Sequence, residues 1–171
     1  MLEPIFGSEF AAPDAWWQGP ARLVLAVAVG ALAGFEREIR GRAAGLRTHM
    51  MIALGSAGFA LIAMEMLAWL QGQGVTSAGE PARIIAAIVG GIGFLGAGAI
   101  IQAGPKIRGL TTAAGMWVIA SAGAAVGVGL IWLGVVIGAL ALLVLAGTGF
   151  EEAAREVADN HGVTPDEQDA E

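Results

Sequence analysis

The sequence predicts an all-α fold, a polytopic membrane helix bundle of five spans. Three observations predict it. The chain is 56% hydrophobic and only 14% charged, with a mean hydropathy of +0.71, more apolar than a soluble domain of this size needs. The 38 residues 113–150 contain no charge at all. The arginines gather between apolar runs, above all in "FEREIRGRAAGLRTHMM".

Residues 1–19 precede the first span and carry Glu3, Glu9 and Asp14 with no basic residue. No positive n-region leads into an apolar run, so a cleavable signal peptide is not expected. A spanning helix takes roughly 20 apolar residues. The first candidate, 20–35, is short; Trp16 and Trp17 mark its outer edge, and Arg22 could snorkel. The second, 50–70, holds one acid, Glu65, near its end. The third is 84–101. The charge-free stretch 113–150 is nearly twice one crossing, and glycines in 123–129 predict a tight turn at its middle. Residues 151–171 carry eight acids against Arg155 alone, which is -7 of the net charge of -6, so the acidity belongs to a tail expected to be disordered.

Basic residues favour the cytoplasmic side. Arg37, Arg40, Arg42 and Arg47 lie between spans one and two, Lys106 and Arg108 between spans three and four, and Arg155 after span five. The expected topology puts the N-terminus outside and the C-terminus in the cytoplasm.

"GLRTHMMIALGSAG" from Gly45 is similar to "GLTTAAGMWVIASAG" from Gly109, at an offset of 64. Spans one-two and three-four therefore read as two parallel helix-hairpin repeats, a weak match in glycine-rich sequence. Thr48 and Thr112 stand at corresponding helix starts. Two such N-termini side by side attract an anion or a carboxylate, and Glu36 or Glu38 could supply the latter.

Small-residue faces let helix backbones approach in lipid. Span one has Gly30 and Gly34, span five Gly134 and Gly138. Span three has Ala86/Gly90 and Gly93/Ala97, with Gly96 and Gly98 further along. These faces predict a dense fold or a homo-oligomer, a dimer being favoured; intramolecular packing alone remains the alternative. Gly91-x-Gly93-x-x-Gly96 matches a dinucleotide fingerprint, but no strand precedes it and it lies inside a span, so that reading fails.

Ionisable residues near or in a span are functional candidates. Glu36 closes span one and can pair with Arg40 one turn on. His49 could titrate near neutral pH. There is no cysteine, and His49 and His161 are far apart, so thiol chemistry is excluded and zinc sites of the usual kinds are not expected. No paired carboxylates or Ser/His/Asp set occurs. The expectation is no enzyme, no cofactor, no nucleic-acid partner, and an unknown metal.

"GFEREIRGRAAGLRTHMMIALGSA" and "RIIAAIVGGIGFLGAGAIIQAGPKIRGLTTAAGMWVIASAGAAVG" together resemble the MgtC/SapB family of bacterial inner-membrane proteins, over roughly residues 25–145. The resemblance implies a multi-pass inner-membrane protein associated with magnesium homeostasis and stress adaptation. Its virulence-type members carry a soluble ACT-like domain after the last span; here 21 residues, eight of them acids, follow Phe150. Two functions stay open: a non-catalytic regulator contacting other membrane proteins, or a small dimeric transporter or channel. For either, the candidate site is Glu36, Arg40, Arg47, Thr48, His49, Arg108, Thr111 and Thr112. The surrounding arginines favour an anion or lipid headgroup there over a cation.

Overall fold

The structure is a computed structural model. It describes residues 17–74, 79–103 and 106–160, and for 80–81, 101–106 and 148–160 the backbone alone. Five helices follow in order: α1 Gln18–Ile39, α2 Leu46–Gly72, α3 Glu80–Ala99, α4 Leu110–Gly127 and α5 Ile131–Asn160. Between α3 and α4, β1 Ile101–Ala103 pairs antiparallel with β2 Lys106–Arg108, a small hairpin that apolar periodicity had hidden inside the expected third span and its loop. Four helices are long and apolar enough to cross a membrane, and the apolar part of α5, Ile131–Gly147, is slightly shorter. The chain is a multi-pass, all-α membrane protein.

The boundaries follow local chemistry. Gly109 has φ +89°, and a side chain there would run into the Ala99 carbonyl; glycine lets the hairpin turn directly into α4. The turn between the last two helices is narrower than expected. Gly123 and Gly127 belong to α4, and only Val128 to Leu130 separate the helices, with Gly129 at φ +95°. Helix α5 continues to Asn160, so the backbone of the first ten residues of the acidic segment is helical. Residues 1–16, including Trp16, and 161–171 lie outside the described residues.

Helices α1, α2, α4 and α5 pack around one another, with α4 touching all the other helices, while α3 rests on α4 and only lightly on α2. The core is built of small residues: Ala26, Ala33, Ala53, Ala57, Ala60 and Ala122 are at most 1% exposed. In lipid, where hydrocarbon burial gives helices no reason to associate, van der Waals contact between close backbones supplies the cohesion.

That contact converges on α2. A methyl group on Gly30 would come within 2.6 Å of the His49 carbonyl oxygen, and one on Gly34 within 2.8 Å of the Leu46 Cα. From the other side, one on Gly127 would come within 2.5 Å of the Ala57 carbonyl, and Gly123 presses on the Ala53 backbone. Helix α5 closes the bundle with Gly134 against Val126 of α4 and Gly138 against Val29 of α1. Helix α3 differs. Nothing lies within 4 Å of the side-chain positions of Gly90, Gly93 and Gly98, and Gly96 makes only an ordinary contact with Ala113 at 3.6 Å.

Gly127→Ala should therefore lower stability by about 1–3 kcal/mol, the usual cost of overpacking. Gly90→Ala, in open space, should leave it unchanged or raise it slightly through better helix propensity. Thermal unfolding in mild detergent compares them directly.

Candidate functional site

The buried stripe of α1 runs through Ala26, Val29, Gly30, Ala33 and Gly34 at helical spacing, and an arginine continues it at each end. Arg22 is 5% and Arg37 3% exposed. Arg22 does not snorkel. Its Nη1 donates to the Gly127 carbonyl at 3.4 Å, placing a cation on the last carbonyls of α4, where the helix dipole is negative. Its guanidinium occupies the space that a side chain at Gly129 would fill. Arg37 Nη2 donates to Thr112 Oγ1 at 2.8 Å, at the start of α4. One helix is thus fastened to both ends of another.

The remaining charges of the first loop gather around Arg37. Arg40 Nε lies 2.7 Å from Glu36 Oε1, the i,i+4 pair expected from sequence, outside hydrogen-bond angles. Arg40 Nη2 also donates to the Ala146 carbonyl of α5 at 3.1 Å. Glu38 Oε2 accepts from the Leu46 N–H at 2.9 Å. Gly45 has no side chain to cap α2, so a carboxylate from the preceding helix caps it, with favourable charge at a positive helix end. A side chain at Gly45 would displace that carboxylate.

His49 is fully buried at the centre of this end of the bundle. Its Nδ1 lies 2.9 Å from the Gly45 carbonyl oxygen; a carbonyl only accepts, so Nδ1 carries the proton and Nε2 is the bare nitrogen in the neutral ring. Nε2 is buried without a hydrogen-bond partner, as is Glu36 Oε2. A methyl on Gly115 of α4 would sit 3.6 Å from Nε2, so glycine leaves a small space beside it. Two unsatisfied buried groups in one cluster single this end out from the rest of the molecule.

Of the expected site residues, Glu36, Arg40, His49 and Thr112 meet here. The others do not. Thr111 and Arg108 are exposed at the start of α4 and the end of β2, and Arg47 and Thr48 line the side of α2 that faces α3. The two threonines at the helix starts therefore do not share one ligand: the Thr112 hydroxyl is engaged by Arg37, and Thr48 faces elsewhere. Sequence reasoning took Arg37 for a topology signal and missed it. The signal was the stripe itself, since 26, 30, 33 and 37 fall on one helix face. Among the described residues no group of three His, Asp or Glu side chains forms a metal site.

A family model described as the MgtC family matches residues 23–153. The chain is 44% identical over 125 residues to YhiD of Escherichia coli (strain K12), named provisionally as a magnesium transporter, covering 72% of this chain and 57% of that protein. It is 39% identical over 145 residues to SrpB of Synechococcus elongatus, covering 79% and 78%. To MgtC of Salmonella typhimurium (strain LT2) it is 47% identical over 107 residues, covering 63% and 42%. The chain thus spans little more than half the length of YhiD and less than half that of MgtC. No solved structure gives a significant match.

The fastening of α1 can be ranked by substitution. Thr112→Val leaves a buried guanidinium short of one acceptor and should cost about 1.5–3 kcal/mol. Glu38→Ala removes a helix cap, worth about 0.5–2 kcal/mol. Denaturation in detergent should return that order.

Proposed function

The chain belongs to the MgtC family, and from that premise we propose that it is a non-catalytic regulator of the bacterial inner membrane that acts through helix–helix contact with other membrane proteins. The name of one relative, YhiD, connects it with magnesium transport, and we place this chain in magnesium homeostasis or the accompanying stress adaptation. The basic end of the bundle faces the cytoplasm, as the excess of arginine there favours.

One observation carries the reading. The small-residue faces of α1, α4 and α5 are all consumed by contacts within the bundle, but that of α3 is not. Ala86, Gly90, Gly93 and Ala97 are all exposed, and the open sides of Gly90 and Gly93 offer the close backbone approach that membrane helices use to associate. The occupant is a helix of another membrane protein or of a second copy.

A second reading, a small dimeric transporter, is favoured by the buried Glu36 carboxylate and the bare His49 nitrogen, since unsatisfied polar groups at membrane depth mark ion or proton pathways in many carriers. Flux of an ion or small solute into liposomes that Glu36→Gln reduces would support it.

The chain has no cysteine, so single cysteines at Gly90 or Gly93 report contact on a silent background. They should cross-link in native membranes to a second copy or another membrane protein. Gly93→Leu should abolish that cross-link, and with it growth support under magnesium limitation in a strain lacking its own homologue, at unchanged protein level. A Gly93→Leu protein that cross-links and supports growth like the parent would refute the regulator reading.

A further inference from the structure

A groove of about 1000 Å³ runs between α2 and α3, with Met116 of α4 at its floor. Its α2 wall starts at Arg47 and Thr48 and ends at Met66, about 28 Å at 1.5 Å per residue, which is close to the ~30 Å hydrocarbon thickness of a bilayer. The walls are apolar or glycine along nearly all this length; among the described residues Ser56 is the one polar residue beyond the mouth and no acid lines it. The mouth is cationic. Arg47 is exposed, and neither its guanidinium nor the Thr48 hydroxyl has a partner among the described residues.

The lining chooses between occupants. One exposed arginine and a hydroxyl at the mouth of an otherwise apolar groove match the headgroup and acyl chain of an anionic lipid. Gly55 and Gly91 make the room, since both line the groove and nothing lies within 4 Å of either side-chain position.

We propose that the Arg47 half of this groove binds an anionic phospholipid. The phosphate takes charge-assisted hydrogen bonds from Arg47 and accepts from the Thr48 hydroxyl. One acyl chain runs past Met51 and Gly55 on α2 and Leu95 and Gly91 on α3. One leaflet supplies about 15 Å of hydrocarbon depth, half the bilayer core, which is ten residues of α2 and reaches the middle of the groove. The site is separate from the Glu36–Arg37–His49 cluster, because Arg47 and Thr48 lie on another face of α2. It is also separate from the exposed small-residue face of α3, so it does not rest on the regulator reading.

Native mass spectrometry of the full chain, released from micelles holding equimolar phosphatidylglycerol and phosphatidylcholine, tests this. Retention of phosphatidylglycerol over phosphatidylcholine should be about fivefold, what one basic side chain adds to the attraction of an anionic lipid. Arg47→Gln should erase the preference and leave chain binding in place; the residue is exposed and unpartnered, so an unchanged melting curve is expected alongside. Gly91→Phe, or Gly55→Leu if that variant fails to fold, should remove both lipids. Soluble glycerol phosphate should not compete. Equal retention of the two lipids, a preference that survives Arg47→Gln, competition by glycerol phosphate, or a protein helix trapped by a cysteine at Gly55 would each overturn the proposal.

Discussion

The bundle depends on the double-sided contact of α2. Ala53 lies between Gly30 of α1 and Gly123 of α4, and the neighbouring turns repeat the arrangement with Gly34 and Gly127. No large side chain intervenes, so three helices meet backbone to backbone. A soluble core could be held by burying leucines, but in lipid that gain vanishes and contact itself must hold the helices together. The same short distances position everything else. Helices α1 and α4 are brought near enough for two arginines to tie their ends, and α5 seals the outer side with two more glycines.

The seam also explains why charges are tolerated at the bundle's edge. Arg37 is buried because the stripe of α1 it continues is buried, and its cost is offset in part by the Thr112 hydroxyl. Glu38 then caps α2, Arg40 reaches α5, and His49 is enclosed on the backbone it helps to build. The charges of the first loop act less as a surface patch than as fastenings among four helices. Helix α3 takes no part in this scheme. Of its glycines only Gly96 touches the bundle, at Ala113, which leaves one open face and one open groove, the two features through which the protein can meet its membrane.

Much of this was legible in the sequence. Five helices follow from apolar run length, and the Glu36–Arg40 pair from i,i+4 spacing. The starts of α2 and α4, at Leu46 and Leu110, sit just after the two glycines that a 64-residue offset aligns. Other features were not legible because they depend on distance between helices. Gly123 reads as turn material from its neighbours and becomes a packing contact only when Ala53 is placed beside it. Arg22 near a helix end reads as snorkelling until Gly129 opens a space for it. Thr48 and Thr112 look equivalent in the alignment, yet one faces the α3 groove and the other accepts from Arg37. The glycines of α3 look no different in sequence from those of α1, and the structure alone separates used faces from unused ones.

The most direct test is a size series at Ala53, Gly, Ala, Ser, Val and Leu, read as the melting temperature of the purified protein in mild detergent. If backbone approach at α2 holds the bundle, stability falls steadily beyond alanine and Ala53→Leu yields little folded protein, while the same change at the exposed Ala28 is silent. An Ala53→Leu protein that melts with the parent would contradict the account.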